Sequence, residues 1–380
     1  MSLAVYKELR PAYGFDEVAI VPGTITVNPE LIDVHFSIGE FNFAFPIVAA
    51  ALDAVVDARF AVEVGQRGGL AVLNLEGLQC RYEDVGAAIT EIVNASQEES
   101  ASVIQRLTEP PVREELIGRR VRAIKEGGAV CAVSCTPANT KQLAPIAVDA
   151  GADIFVVQAT VTTARHISRS FRGLIFEELI ENIRAPVVVG NTVGFAATKE
   201  LMETGVAGIL VGVGPGAICT SREVLGVGVP QVTATIDCAA ARDDFYRETG
   251  RYVPIVTDGG IQKSGDLCKA IASGADAVML GSILAATEEA PGRGNNWGMA
   301  TQHAELPRGA RITVGVNSTL ERVLFGPTSR NDGTENLVGA LRTAMGMCGA
   351  RTLREFQEAE IIIAPSIKTE GKSYQLAGLT

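Results

Sequence analysis

Seven cysteines are scattered through the 380 residues, at positions 80, 131, 135, 219, 238, 268 and 348, and one of them has surroundings that suit chemistry. Cys219 lies near the end of the run Val211-Gly-Val-Gly-Pro-Gly-Ala-Ile-Cys219-Thr-Ser-Arg222, in which glycines alternate at 212, 214 and 216. Alternating glycines let the backbone turn sharply and bring N–H groups close to a ligand, as a phosphate or another anion requires. Such N–H groups also favour a thiolate, which makes Cys219 a candidate nucleophile; on these residues alone, a small buried thiol packing as an apolar side chain fits equally well. Two further turns follow short apolar runs: Asp258-Gly259-Gly260 after Ile255-Val-Thr, and Gly281-Ser282 after Val278-Met-Leu. Both have the makeup of phosphate loops, although Asp before Gly-Gly is also a common helix cap or turn residue. None of the three histidines, His35, His166 and His303, has a context that marks a general base.

These residues need a frame, and one short pattern supplies it. A helix-like stretch ends at a glycine and an apolar run follows, at Gly68 before Leu70-Ala-Val-Leu, Gly151 before Ile154-Phe-Val-Val, Gly205 before Gly208-Ile-Leu-Val, and Gly274 before Ala277-Val-Met-Leu. Glycine is favoured just past a helix end, and a continuous apolar run suits a strand buried on both faces of a parallel sheet. Four more runs, at Ile47-Val-Ala-Ala, Ala129-Val-Cys-Ala-Val, Val187-Val-Val-Gly and Ile255-Val-Thr, raise the count to eight. Eight parallel strands alternating with helices predict a (β/α)8 barrel, with a doubly wound open sheet as the alternative. The glycine loop and the two later turns would then lie together at the C-terminal mouth. Helical stretches between Glu76 and Gly128 are too short to make a separate domain. The segment 285–335, rich in Gly, Asn, Thr and Arg, reads as a long mobile flap after the eighth strand. The whole chain, 1–380, is thus one catalytic domain.

Composition sets the limits. Apolar residues make up 47% and charged residues 20%, so a large core can be buried. The net charge of -11 argues against a nucleic-acid partner, and the lack of an apolar run of about 18 residues argues against a membrane helix. With no C-x-x-C pair, an odd number of cysteines and an N-terminus unlike a signal peptide, the expectation is a cytoplasmic protein with free thiols and no zinc site.

Taken together, the motifs resemble the inosine monophosphate (IMP) dehydrogenase and guanosine monophosphate (GMP) reductase family, nearest to its dehydrogenase-related GuaB3 branch. The resemblance runs from about Tyr13 to Phe356. It rests on Gly212-Val-Gly-Pro-Gly-Ala-Ile-Cys219-Thr-Ser-Arg, Gly226-Val-Gly-Val-Pro-Gln231, Thr257-Asp-Gly-Gly-Ile261, Met279-Leu-Gly-Ser282 and Thr287-Glu-Glu-Ala-Pro-Gly292, with Pro46-Ile-Val-Ala-Ala-Ala-Leu-Asp53, Gly190-Asn191 and Gly298-Met299. The resemblance implies that Cys219 attacks purine C2, that Asp258 holds the ribose hydroxyls, and that Gly260, Gly281 and Ser282, beside Gly259 and Gly216, grip the phosphate. It places Met299 against the base, and Asn191, Gly212 and Gly214 under the nicotinamide. It further implies a homotetramer or a pair of them as an octamer, and a purine nucleotide monophosphate as ligand; the metal is left open, the carbonyls of Gly214, Gly216 and Cys219 being the candidate place for a monovalent cation such as potassium. The CBS module that many dehydrogenases insert after the second strand is missing.

Departures from the family pattern bear on the reaction. Ala217 stands where a phosphate-binding Ser is usual, and Ala49 where a ribose-contacting Ser is common. Ser221 keeps a hydroxyl two residues after the nucleophile, and Ser221 with Glu305 is the guess for protonating leaving ammonia. Gln158 replaces an aspartate that holds the cofactor ribose, and losing that charge makes the site less hostile to a 2′-phosphate. Dehydrogenases carry an Arg-Tyr pair in the flap that activates water, whereas residues 297–327 contain no tyrosine, and Arg308 or Arg311 would have to act without that partner. The expectation is therefore an NADPH-dependent GMP reductase. An NAD-dependent IMP dehydrogenase is the alternative, and a non-catalytic purine nucleotide-binding regulator is the third reading.

Overall fold

A computed structural model describes residues 8–167, 173–298 and 310–365. Its centre is a closed barrel of eight parallel strands: β1 Ile47–Ala49, β2 Leu70–Asn74, β3 Ala132–Cys135, β4 Ile154–Gln158, β5 Val187–Thr192, β6 Gly208–Val211, β7 Ile255–Asp258 and β8 Ala277–Leu280. Each strand pairs with its sequence neighbour, and β8 closes on β1 through Val278 opposite Ile47. The predicted (β/α)8 barrel is the fold, as one catalytic-type domain with no inserted module among the described residues.

The strands are buried along nearly their whole length, which is why they read as continuous apolar runs instead of alternating ones. The four glycines that mark the helix-to-strand junctions, Gly68, Gly151, Gly205 and Gly274, all lie at φ between +90° and +112°, a region a side chain rarely enters. One strand begins later than its sequence suggests. The apolar run starts at Ala129, but the ladder starts at Ala132, because the Cys131 N–H is taken by the Asp153 carboxylate at 2.8 Å before pairing begins.

The helices pack around the barrel. α1 (Ala58–Gln66) shows how the sequence starts one: Asp57 accepts the Phe60 N–H, while Phe60, Ala61 and Val64 turn one face to the core. The interval after β2 folds into α2 (Val85–Asn94), α3 (Ser100–Leu107) and α4 (Glu114–Glu126). On the long helix Gln231–Thr249, Arg242 is almost fully buried, held by Asp276 Oδ2 at 2.9 Å and the Gly274 carbonyl at 2.7 Å. The described part of the segment 285–335 is more than a bare loop. It holds an antiparallel ribbon of β9 (Asn295–Trp297) and β10 (Arg311–Thr313), and a short helix, Leu320–Phe325. Trp297 anchors that ribbon in an apolar cluster with Ile89, Ile92 and Ile104 of α2 and α3, a contact no local periodicity could announce.

Candidate active site

At the C-terminal mouth of the barrel lies a cavity of about 950 Å³, within the size range of small-molecule sites. The loops after β6, β7 and β8 supply its glycine-rich wall: Gly212, Gly214, Gly216 and Ala217, then Asp258, Gly259 and Gly260, then Gly281 and Ser282. Gln158 and Asn191 reach it from the ends of β4 and β5. All these predicted residues meet in one place. Met299 and Glu305 lie outside the described residues, as does Arg308.

Close approach explains Gly212. It sits at φ +150°, and a Cβ there would come within 2.1 Å of the Asp258 carbonyl oxygen. Gln231, which opens the following helix, fastens the same corner by donating to the carbonyls of Val211 at 2.6 Å and Asp258 at 3.2 Å. The Pro-Gln pair after the loop is the sequence signal for that clasp. In the loop itself, the Cys219 N–H donates to the Gly216 carbonyl at 3.0 Å, so one of the carbonyls expected to face a cation already has a partner.

Two cysteines stand on the cavity wall, and burial separates them. Cys135, at the end of β3, is buried against Thr140, and desolvation pushes its thiol up to about 12. Cys219 is only half-buried, and its Sγ donates to Ser221 Oγ at 3.3 Å. Ser221 lies behind the thiol, fully buried at the start of a short helix, Ser221–Leu225. Among the described residues, then, Cys219 is the cavity thiol whose surroundings leave it open to a ligand.

Asp258 carries the site's most perturbed carboxyl. Burial pushes it up to about 6, against two amides that pull it down: Asn191 Nδ2 donates to Oδ2 at 2.8 Å and Gln158 Nε2 at 3.0 Å. Gln158 also donates to Asn191 Oδ1 at 3.2 Å, which closes a triangle of three side chains from three strands. Both amides use one carboxylate oxygen, leaving Oδ1 to accept from a ligand. Gln158 is thus turned toward the expected ribose carboxylate, whereas the sequence reading set it against the cofactor.

Beside β8, Asn296 Nδ2 donates to Ser282 Oγ at 3.1 Å, so the Ser282 hydroxyl hydrogen is free to point at an anion. Arg311, one of two candidate flap bases, is buried; its Nη1 donates to the carbonyls of Ile92 at 2.6 Å and Val93 at 3.1 Å, at the C-terminal end of α2. Sequence reasoning missed Asn296, Gln231 and Arg330 on or behind this wall. No group of three His, Cys, Asp or Glu side chains among the described residues is arranged to hold a metal ion. Nor is any described helix long and apolar enough to cross a membrane.

A parallel barrel whose mouth gathers glycine loops, an open thiol and an amide-bound carboxylate has the arrangement of a barrel enzyme for a phosphorylated ligand. Comparison with known proteins narrows the class. Residues 12–372 match the model of the IMP dehydrogenase / GMP reductase domain. An uncharacterized oxidoreductase of Mycobacterium leprae is 40% identical, the match spanning 96% of this chain and 100% of the relative. The inosine-5'-monophosphate dehydrogenase of Methanocaldococcus jannaschii is 27% identical, over 99% of this chain and 97% of its own. A crystal structure of an IMP dehydrogenase/GMP reductase-like protein from Corynebacterium glutamicum superposes with a TM-score of 0.89 at 35% identity, over 96% of this chain and 97% of that one. The chain belongs to the IMP dehydrogenase / GMP reductase family and is an oxidoreductase of that family.

Proposed function

We propose that this oxidoreductase acts on a purine nucleotide monophosphate through a covalent bond between Cys219 Sγ and purine C2. The observation that carries the reading is the half-buried Cys219 thiol in a glycine loop, facing one cavity with Asp258 and with the two turns that hold Gly260 and Gly281–Ser282. Asp258 Oδ1 would accept the ribose hydroxyls. Backbone N–H groups and Ser282 would take the phosphate. Asn191 and the 212–214 backbone would floor the nicotinamide, which supplies or accepts hydride when bound. A cavity of this volume fits a nucleotide with that ring beside it.

Two reactions share the Cys219 thioimidate. In the reductive one, Cys219 displaces ammonia from C2 of GMP and hydride from NADPH then releases IMP, for a balance of GMP, NADPH and two protons giving IMP, NADP and ammonium. The flap favours this direction: it lacks tyrosine, and Arg311 is tied to the end of α2, so a base for activating water is scarce. In the oxidative one, hydride leaves C2 of IMP for NAD and water resolves the thioimidate to xanthosine monophosphate. One observation favours that second reading: the relative above with a named reaction is an IMP dehydrogenase. Nicotinamide absorbance decides: loss of NADPH with GMP supports the reductase, and formation of NADH with IMP at a clearly higher kcat/KM supports the dehydrogenase. Nucleotide binding without turnover in either assay would point to a regulator. A potassium requirement, a homotetramer and a cytoplasmic location are further expectations of this reading.

A further inference from the structure

Two cationic side chains line the cavity among the described residues, Arg81 and Arg330. Arg81 is committed: its guanidinium donates to the carbonyls of Glu76, at 2.9 Å, and Pro110. Arg330 is not. Its Nε lies 3.4 Å from Asp332 Oδ2, and among the described residues no partner takes its Nη groups. The segment that carries it, residues 326–336, is strapped across the two turns assigned above to phosphate. On one side the Ser264 N–H donates to the Gly333 carbonyl at 2.7 Å, just past the Gly259–Gly260 turn. On the other, Ser318 Oγ donates to Glu335 at 2.5 Å, and the Ser318 carbonyl accepts the Glu288 N–H a few residues beyond Gly281–Ser282.

A phosphomonoester entering this cavity meets the carboxylates of Glu76, Asp258 and Asp332 in a chain of net charge -11. Backbone N–H groups and one hydroxyl offer it hydrogen bonds but no formal charge, and Ala217 removes a hydroxyl that the family pattern usually provides. We infer that Arg330 is the charged member of the phosphate site, steered by Asp332 and Glu335 and presenting its Nη fork to the phosphate of the nucleotide. A planar fork matches two phosphate oxygens at once, which a lysine cannot do. Arg330 thereby separates nucleotide from nucleoside, and this rests on the purine nucleotide reading above.

The test is calorimetric binding of IMP, GMP and inosine to the full chain and to Arg330→Gln and Arg330→Lys. Arg330 is partly exposed, so neither substitution should disturb folding, and thermal unfolding of each variant checks that. Arg330→Gln should weaken IMP or GMP binding at least tenfold and leave inosine binding unchanged, with partial recovery in Arg330→Lys. Unchanged nucleotide affinity in Arg330→Gln, or an equal loss for inosine, overturns the inference while leaving the nucleotide reading intact. A wild-type chain that binds neither IMP nor GMP overturns both.

Discussion

Gln158→Ala tests whether the amide triangle sets the working state of Asp258. In the wild type, burial pushes this carboxyl up to about 6 while Gln158 and Asn191, both uncharged, pull it down. Losing one hydrogen bond to a charged acceptor costs about 1.5–3 kcal/mol, and water entering the gap recovers part of that. At 1.36 kcal/mol per pH unit, the midpoint for ionisation should rise by about one unit. Ribose hydroxyls donate to the ionised form, so nucleotide affinity should follow the ionised fraction. With midpoints about one unit apart, that fraction falls about fivefold at pH 6, about twofold at pH 7, and hardly at all at pH 8. The assay is nucleotide binding by wild type and variant at these three pH values. The phosphate of the ligand itself titrates near pH 6, but this is common to both proteins and cancels in their ratio. A deficit of equal size at pH 6 and pH 8 would show a purely steric role for Gln158, and no deficit at pH 6 would refute the reasoning altogether.

Cys219→Ala should abolish turnover and leave nucleotide binding nearly unchanged; retention of more than about a hundredth of the rate, a barrier rise below ~2.7 kcal/mol, would remove Cys219 from the nucleophile's place. Asp53 and Asp258 both sit at about 6 in the folded chain against 3.8 when exposed. The folded chain therefore holds protons that the unfolded chain has released, and stability should fall as pH rises from about 4 to about 6, by up to about 3 kcal/mol per group. Denaturant unfolding of Asp258→Asn across that window should show a shallower slope than the wild type, the remainder coming from Asp53 and from Asp266, which burial also pushes up; an unchanged slope would contradict the buried, protonatable state. Arg242→Met leaves Asp276 without its buried partner and should cost about 3–5 kcal/mol in unfolding free energy; a loss below 1 kcal/mol would mean that Tyr252, Gln357 and the Ile255 N–H suffice for that carboxylate.

The fold was readable because its signals are local. Gly68, Gly151, Gly205 and Gly274 each stop a helix where the chain must take positive φ, and the apolar run after each has one place to go in a sheet covered on both faces. Where a long-range contact decides a boundary the reading slipped: the Asp153 carboxylate delays β3, and the cluster around Trp297 turns an apparent loop into a ribbon.

The same division runs through the site. The glycine loops and Cys219 were visible because backbone approach demands glycine at particular positions, and that demand is written in the residue type itself. The direction in which Gln158 points was not, since an amide at the end of β4 can face either the cofactor or β7, and only barrel closure puts Asp258 within 3.0 Å of it. Arg330 lies 72 residues after Asp258, in a stretch whose Gly, Asn and Thr content reads as linker. Its placement depends on Gly333 meeting Ser264 across two elements. On the inference above, charge at the phosphate site comes from a segment whose local sequence carries no anion-binding pattern, while the uncharged donors come from segments that do. A barrel permits this separation, because its strands fix the mouth rigidly enough for a distant strap to add one side chain without rebuilding the loops beneath it.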